Sequence, residues 1–438
     1  MNRILSWSTT FASVQWFFFI FANIVVVPIS IGFAFSLPPE QVATILRSAL
    51  IVTGAACILQ GLIGHRFPLM EGPSGVIWGL ILNLCLSASS LGLSLHSIGG
   101  GIATGIILAG IVTILLAASN LISFVQKIFS PMVMSVYLLL LTFQLTFIFF
   151  NGMLEINVDG SLNWRITLFS FGLAIVVALM KIIGNKVIGD FSILIGMLGG
   201  WIVYALLFPI AKPVTDSGVA AFSLFPLGTP NLEYGIIAIT FLGCMINLSN
   251  TVASIQAASK LMDVDVSRNR YRFSYLLTGI YSMIASLFGL VVFAPFASSI
   301  GFLESTQIFD RRPFLIGGGL VIVIGIIPTL GLMLATLPMA VGNAVLLVAY
   351  SQLLGTSLKS FNGYTFNSVT IYRIAAPVLI GVSIMTVDAS LFTFLPAIIL
   401  PLITNGFIMG FLISLIMETF INWEHVGTDR KVITDSTQ

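Results

Sequence analysis

Long charge-free runs dominate the chain. Residues 4–39, 72–126 and 313–358 contain no Asp, Glu, Lys or Arg, and a helix needs ~20 apolar residues to cross the hydrocarbon core. The first run therefore holds one span, roughly 11–33, and each of the others holds two, the last divided near Leu337-Pro338. Adding the remaining apolar stretches predicts about fourteen spans, beginning near residues 11, 42, 68, 98, 131, 165, 190, 234, 272, 294, 313, 338, 374 and 396. The chain reads as an all-α polytopic membrane protein. Its opening, one positive charge followed by a long apolar run with no small-residue cleavage site, reads as a first span rather than a removed signal peptide.

Positive charge orients the spans. With the N-terminus cytoplasmic, the inner loops hold Arg3, Arg66, Lys127, Lys181, Lys186, Lys260, Arg268, Arg270, Arg272, Arg311, Arg312, Lys359, Arg373, Arg430 and Lys431, leaving Arg47, Arg165 and Lys212 outside. Both termini are thus expected in the cytoplasm. Fourteen spans divide into seven and seven, and odd-numbered halves in tandem lie inverted in the membrane. The third span of each half is short and opens on helix breakers: Met70-Glu71-Gly72-Pro73-Ser74-Gly75 and Ala294-Pro295-Phe296-Ala297-Ser298-Ser299-Ile300-Gly301. Pro73 and Pro295 stand 222 residues apart, close to the offset between the halves. Non-helical backbone at membrane depth is tolerated only beside protein or a water-filled cavity. Two such segments in register point to a transport site near the midplane, where bare N–H and C=O groups suit a small planar polar ligand. The same residues would also serve as kinks for packing.

Composition agrees with this reading and narrows it. Hydrophobic residues make up 58% of the 438 and charged ones 8%, against about 25% charged in soluble domains; mean hydropathy is +1.09. These values exclude a soluble enzyme, a nucleic-acid binder and a disordered scaffold. A net charge of +2 implies no acidic partner. Cys57, Cys85 and Cys244 lie scattered in apolar runs, with neither metal-ligand spacing nor a disulfide pattern. No cofactor or metal is expected. An intramembrane enzyme would need a nucleophile or metal constellation at depth, and the spans contain none.

Polar residues inside spans need a reason, because a charge at the bilayer centre costs ~2.5–3.5 kcal/mol. Glu71 opens the first broken segment and is expected to face the cavity, where it could hold a proton, accept a ligand N–H, or cap the short helix. Glu304 is either a second titrating group or an interfacial partner of the basic end at Arg311-Arg312. Asn247, Asn250 and Thr251 share one helical face, with amides able to read a nucleobase edge or to join helices. Gln15 and Asn23 share a face of the first span. Trp16 and Phe296 are the rings best placed to stack on a ligand. His65, His96 and His425 fall in loops or the tail, off any proton path.

These residues resemble the nucleobase–ascorbate transporters (nucleobase:cation symporter-2), whose bacterial members carry uracil, xanthine and other purines. Gln15-Trp16 through Val27-Pro28 resembles that family's Gln-His opening, and Gly72-Pro73-Ser74-Gly75 its Gly-Ser/Thr-Ser-Phe segment. Ser298-Ser299-Ile300-Gly301 stands where it has Glu/Gln-Asn-x-Gly. Pro328 through Pro338 to Gly342 and Leu346-Leu347 is similar to its eleventh and twelfth spans. The resemblance covers nearly the whole chain and implies a core of spans 1–4 and 8–11 (residues 1–129 and 210–335), a gate of spans 5–7 and 12–14 (130–209 and 336–422), and a cytoplasmic tail, 423–438. It implies a short strand in spans 3 and 10, proton-driven movement of a nucleobase across a bacterial cytoplasmic membrane, and lipid as the surroundings; homodimers are common in the family. It places Asn23, Ser74, Gly75, Asn247, Thr251, Ser298 and Ser299 around the ligand, with Asn250 and Glu71 added from the reading above. The pattern is broken at Asn247 and Ser298, where the family has carboxylates or Gln, and at Trp16 and Thr251, where it has His. Glu71 is the carboxylate left to compensate, and a purine is favoured over uracil. The alternative on the same fold is an anion exchanger or channel-like carrier, for which missing carboxylates would be an advantage.

Overall fold

The computed structural model describes residues 7–89, 91–119, 121, 130–156, 160–209, 222–296, 298–334, 336–361, 363–392, 394–396 and 399–423. Arg3, Lys127, Lys212, His425, Arg430, Lys431 and the tail beyond Trp423 fall outside them. The first half runs α1 (Trp7–Ala34), α2 (Pro39–Leu62), β1 (Glu71–Pro73), α3 (Gly75–Leu86), α4 (Leu95–Ala118), α5 (Pro131–Met153), α6 (Trp164–Ile183) and α7 (Lys186–Leu207). The second runs α8 (Tyr234–Met262), α9 (Arg268–Leu287), β2 (Phe293–Pro295), α10 (Ser298–Thr306), α11 (Arg311–Ile326), α12 (Pro328–Leu334), α13 (Met339–Ser360), α14 (Ser368–Met385), α15 (Leu400–Ile403) and α16 (Gly406–Phe420). Among the described residues α1, α2, α4, α5, α6, α8 and α14 are long and apolar enough to cross a membrane unaided. α3 has 12 residues, a rise of roughly 18 Å. The three residues of β1 add roughly 10 Å, so the broken unit approaches the ~30 Å needed.

Polar residues in the short connections start the helices. Asn163, Asn185, Asn367 and Asn405 each accept an amide N–H of the first turn through the side chain, satisfying donors a helix start otherwise leaves bare. Two expected spans differ in outline. The one from 313 stops at Ile326, because Pro328 has no N–H to donate and holds Ile327 extended; the chain restarts as the short α12. The last begins as α15, a single turn, and resumes at α16.

Packing displays the 7+7 inverted repeat. α11 lies against α2 and α1, and its counterpart α4 lies against α9 and α8; α3 beside α1 answers α10 beside α8. One body, the core, unites α1–α4 with α8–α11. The other, the gate, joins α5–α7 with α13, α14 and α16. Contact between the bodies runs through α3 on α5, α1 on α7 and α13, and α15 on α8.

Glycine sets the closest approaches in both halves. A Cβ on Gly54 would lie 2.5 Å from the Gly318 carbonyl, and one on Gly279 would lie 2.9 Å from the Gly110 carbonyl. The backbones of α2 and α11, and of α4 and α9, thus touch without side chains between them. Gly54→Val is expected to cost about 1–3 kcal/mol and to lower the thermal midpoint in detergent by several degrees; an unchanged midpoint would refute the close contact.

Arg47 explains its own exception to the charge rule. Its buried guanidinium donates from Nε to the Gly325 carbonyl (3.2 Å) and from Nη2 to the Ile326 carbonyl (3.2 Å), capping the C-terminal end of α11, where a cation is favoured.

Candidate functional site

The two broken segments meet. β1 and β2, one from each half, pair antiparallel with Glu71 opposite Pro295, Gly72 opposite Ala294 and Pro73 opposite Phe293. The ladder is extended by Ser74 N donating to the Val292 carbonyl (2.7 Å) and Phe296 N donating to that of Met70 (2.8 Å). Each proline, lacking an N–H, sits at a strand end where no donor is missed.

Helix α8 supplies the polar groups that two strands alone leave wanting. Asn247 Nδ2 donates to the Phe293 carbonyl (3.3 Å), Asn250 Nδ2 to that of Pro295 (3.3 Å), and Ser254 Oγ to the same oxygen (3.3 Å). Asn247 Oδ1 accepts from Ser74 Oγ at 2.7 Å. The expected amide face therefore reads the backbone of span 10 and the start of span 3. Asn247 is buried in that role, and Thr251 is buried with its hydroxyl unpartnered; of the three, Asn250 reaches the cavity wall.

A cavity of about 340 Å³ lies between core and gate. The core contributes Asn23, Ser74, Gly75, Asn250, Phe296 and Ser298; the gate contributes Tyr137, Lys181 and Tyr350. α3 and α10 begin at this wall, so first-turn N–H groups and the positive ends of both helices face it. Phe296 lies against Gly72, where a Cβ would come within 2.8 Å of its ring. Gly301 also lines the cavity, and a Cβ there would meet nothing within 4 Å. Asn23 Nδ2 donates to the Phe19 carbonyl (2.8 Å) of its own helix.

Several expectations are corrected. Ser299 is buried and accepts Met70 N at 3.1 Å, tying α10 to β1 rather than facing the cavity. Trp16 does not line the cavity; it is enclosed by Phe19, Phe302 and Phe314, with ring centroids 4.6–5.5 Å away. Glu304 is exposed and lies outside the wall. Glu71 is fully buried but turns toward α2 and α9, neither of which contributes to the wall. His65 is not a loop residue in water: it is fully buried with Nε2 3.3 Å from Glu71 Oε1. The chain turns after α2, with Arg66 in the left-handed region (φ 63°) and its N–H donating to the Gln60 carbonyl (3.0 Å), and the ring lies inside that turn.

Sequence reasoning missed His65, Tyr281 and Gln60 around Glu71, and Lys181, Tyr137 and Tyr350 in the cavity wall. His65 stands six residues before Glu71 in the turn leading into the broken span, which was a signal. Lys181 counted only as loop charge.

Residues 7–390 match the model of the Permease family. The chain belongs to that family, the nucleobase–ascorbate transporters. Among relatives, the permease is 30% identical to the Bacillus subtilis protein YwdJ, provisionally named a purine permease, over 97% of this chain and 98% of that one. It is 25% identical to the uric acid permease PucJ of B. subtilis (96% and 93%) and 23% identical to the uric acid transporter UacT of Escherichia coli (92% and 83%). In fold it is similar to the transmembrane domain of the cyanobacterial bicarbonate transporter BicA (TM-score 0.63, 13% identity, 94% and 98% covered). It is similar also to SLC26A9 (TM-score 0.63, 13% identity, 95% and 66% covered). The permease is thus a multi-pass membrane transporter of the nucleobase-carrying family, not an enzyme, built on the inverted-repeat core and gate.

Proposed function

We propose that this permease carries a purine, with uric acid and xanthine the leading candidates, by proton symport across a bacterial cytoplasmic membrane. The observation that carries the reading is the cavity at the junction of the paired strands. Helix-start N–H groups from α3 and α10 suit the oxo groups of an oxidised purine, Asn250 and Ser298 add side-chain hydrogen bonds, and Phe296 offers a ring face. The residues around the cargo are then Asn23, Ser74, Gly75, Asn250, Phe296 and Ser298, with Asn247 and Ser299 holding the frame behind them.

Movement of core against gate would expose this site alternately to the two faces. If both termini are cytoplasmic, Gln15 near the start of α1, Lys181 at the end of α6 and Phe191 near the start of α7, all cavity lining, would lie toward the cytoplasm, and the cavity would open inward. One observation favours the second reading, an anion exchanger: the Lys181 amine in the wall, which donates to the Gly189 carbonyl (3.3 Å).

The experiment is uptake of labelled uric acid, xanthine, hypoxanthine, guanine and uracil into cells lacking their own permeases, with a protonophore control and parallel bicarbonate and sulfate fluxes. Saturable uptake of a purine, abolished by the protonophore, is the expected result. Anion flux without purine uptake, from protein present in the membrane, would overturn it in favour of the second reading.

A further inference from the structure

Behind the strands, away from the cavity, lies a hydrogen-bond network around a buried carboxylate. Tyr281 of α9 donates its hydroxyl to Glu71 Oε2 at 2.7 Å. The same hydroxyl accepts from Gln60 Nε2 at 2.7 Å and lies 3.1 Å from Thr278 Oγ1. Gln60 Nε2 donates also to the Ser274 carbonyl (3.0 Å). His65 Nε2 stands 3.3 Å from Glu71 Oε1, while its Nδ1 accepts Phe67 N at 3.0 Å. An accepting Nδ1 has no proton, so the neutral ring carries its proton on Nε2 and donates it to Glu71.

We propose that Glu71, held by Tyr281 and His65, is a binding site for the transported proton that is separate from the cargo cavity. This deepens, and rests on, the proton-symport reading. Both protonation states of Glu71 keep Tyr281 and His65 as partners. When it is ionised, Tyr281 and His65 donate to its two oxygens and Thr278 Oγ1 donates to the Tyr281 oxygen. When a proton from water joins Oε2, that oxygen donates to the Tyr281 oxygen, the tyrosine proton turns to Thr278 Oγ1, and the threonine proton turns away, so that the Thr278–Tyr281 bond reverses. No heavy atom has to move. Neither donor is a permanent cation, so proton binding breaks no obligate ion pair. His65 is a positioning residue here, not a relay, because its far nitrogen is committed to Phe67. Arg66, the residue after His65, is exposed.

The other titratable and charged groups nearby do not address the carboxylate. Cys57 of α2 lies against the Glu71 backbone (Sγ 3.3 Å from N), Arg270 of α9 sits 5.8 Å over the Phe67 ring, and Arg311 of α11 donates to the Gly61 carbonyl (3.1 Å). Coupling to cargo has a direct path: Glu71 begins the strand whose continuation, Pro73-Ser74-Gly75, is cavity wall.

Glu71→Gln tests this, because its amide reproduces the protonated carboxyl, accepting from His65 and donating to Tyr281. In infrared difference spectra of the purified protein across a pH titration, the native chain should show a protonated-carboxyl band that disappears on raising pH. Glu71→Gln should lack that band, and Tyr281→Phe should shift its frequency, since the carboxyl has lost a hydrogen-bond partner. No such band in the native protein, or a band that persists in Glu71→Gln, overturns the site. In cells, Glu71→Gln should lose protonophore-sensitive accumulation of labelled purine; accumulation at the native level overturns the role. The infrared readout needs no cargo, so a native protein that moves no purine but shows the Glu71 band refutes the purine reading alone.

Discussion

Uptake by Asn247→Leu is expected to fall at least tenfold, toward background, while the protein still reaches the membrane. Asn247 bonds both broken segments, accepting from Ser74 Oγ and donating to the Phe293 carbonyl. Leucine fills a similar volume and removes both partners. A buried polar group left unpaired costs about 1–3 kcal/mol, although the average hydrogen bond between membrane helices is worth nearer 0.6 kcal/mol. Even the smaller figure, taken twice, loosens the join that shapes the cavity wall. Asn247→Asp keeps an acceptor for Ser74 and loses the donor to Phe293, so its rate should fall between the two. Initial uptake rates, normalised to protein in the membrane, decide the matter; a native rate in Asn247→Leu would mean the strands hold their places without it.

Gly301→Phe is expected to abolish uptake by a different route, leaving the fold intact. A Cβ at Gly301 meets nothing within 4 Å, and the residue lines the cavity. Alanine there adds helix propensity, worth up to about 1 kcal/mol, and removes little space. Gly301→Ala should therefore transport with an altered KM, while Gly301→Phe occupies the room the ligand needs. The thermal midpoints of both should stay within about 2 °C of native. Transport by Gly301→Phe at the native rate would show that the cargo binds elsewhere.

The architecture was legible because the bilayer imposes it. Charge-free runs have to be spans, and the two Gly/Pro breaks in register mark where such a chain leaves the helix at corresponding points of its two halves. The strand pairing itself was not legible, since residues 71–73 and 293–295 carry no alternating pattern that would announce a partner. The residue types were legible where their direction was not. Asn250, Ser298 and Phe296 line the cavity, whereas Asn247 and Ser299 spend bonds on backbone that the breaks had freed. Glu71 was found by its charge, but a helical period cannot say where an extended residue points. His65 was lost because a residue between two spans looks like a loop until the chain is seen to turn inward.

The strand pairing has a consequence for how the protein is made. β1 leaves the ribosome long before its partner, some 220 residues later in the chain. At about 5–20 residues per second that delay is roughly 10–45 s, during which Glu71–Pro73 is in or beside the bilayer with no strand to bond. Something must cover it meanwhile: the insertion machinery, a neighbouring helix, or water held at the membrane face. Assembly of the first half therefore cannot finish before the second has been translated past its own broken segment, and a chain cut between the halves would leave each with an open edge that only the other can close.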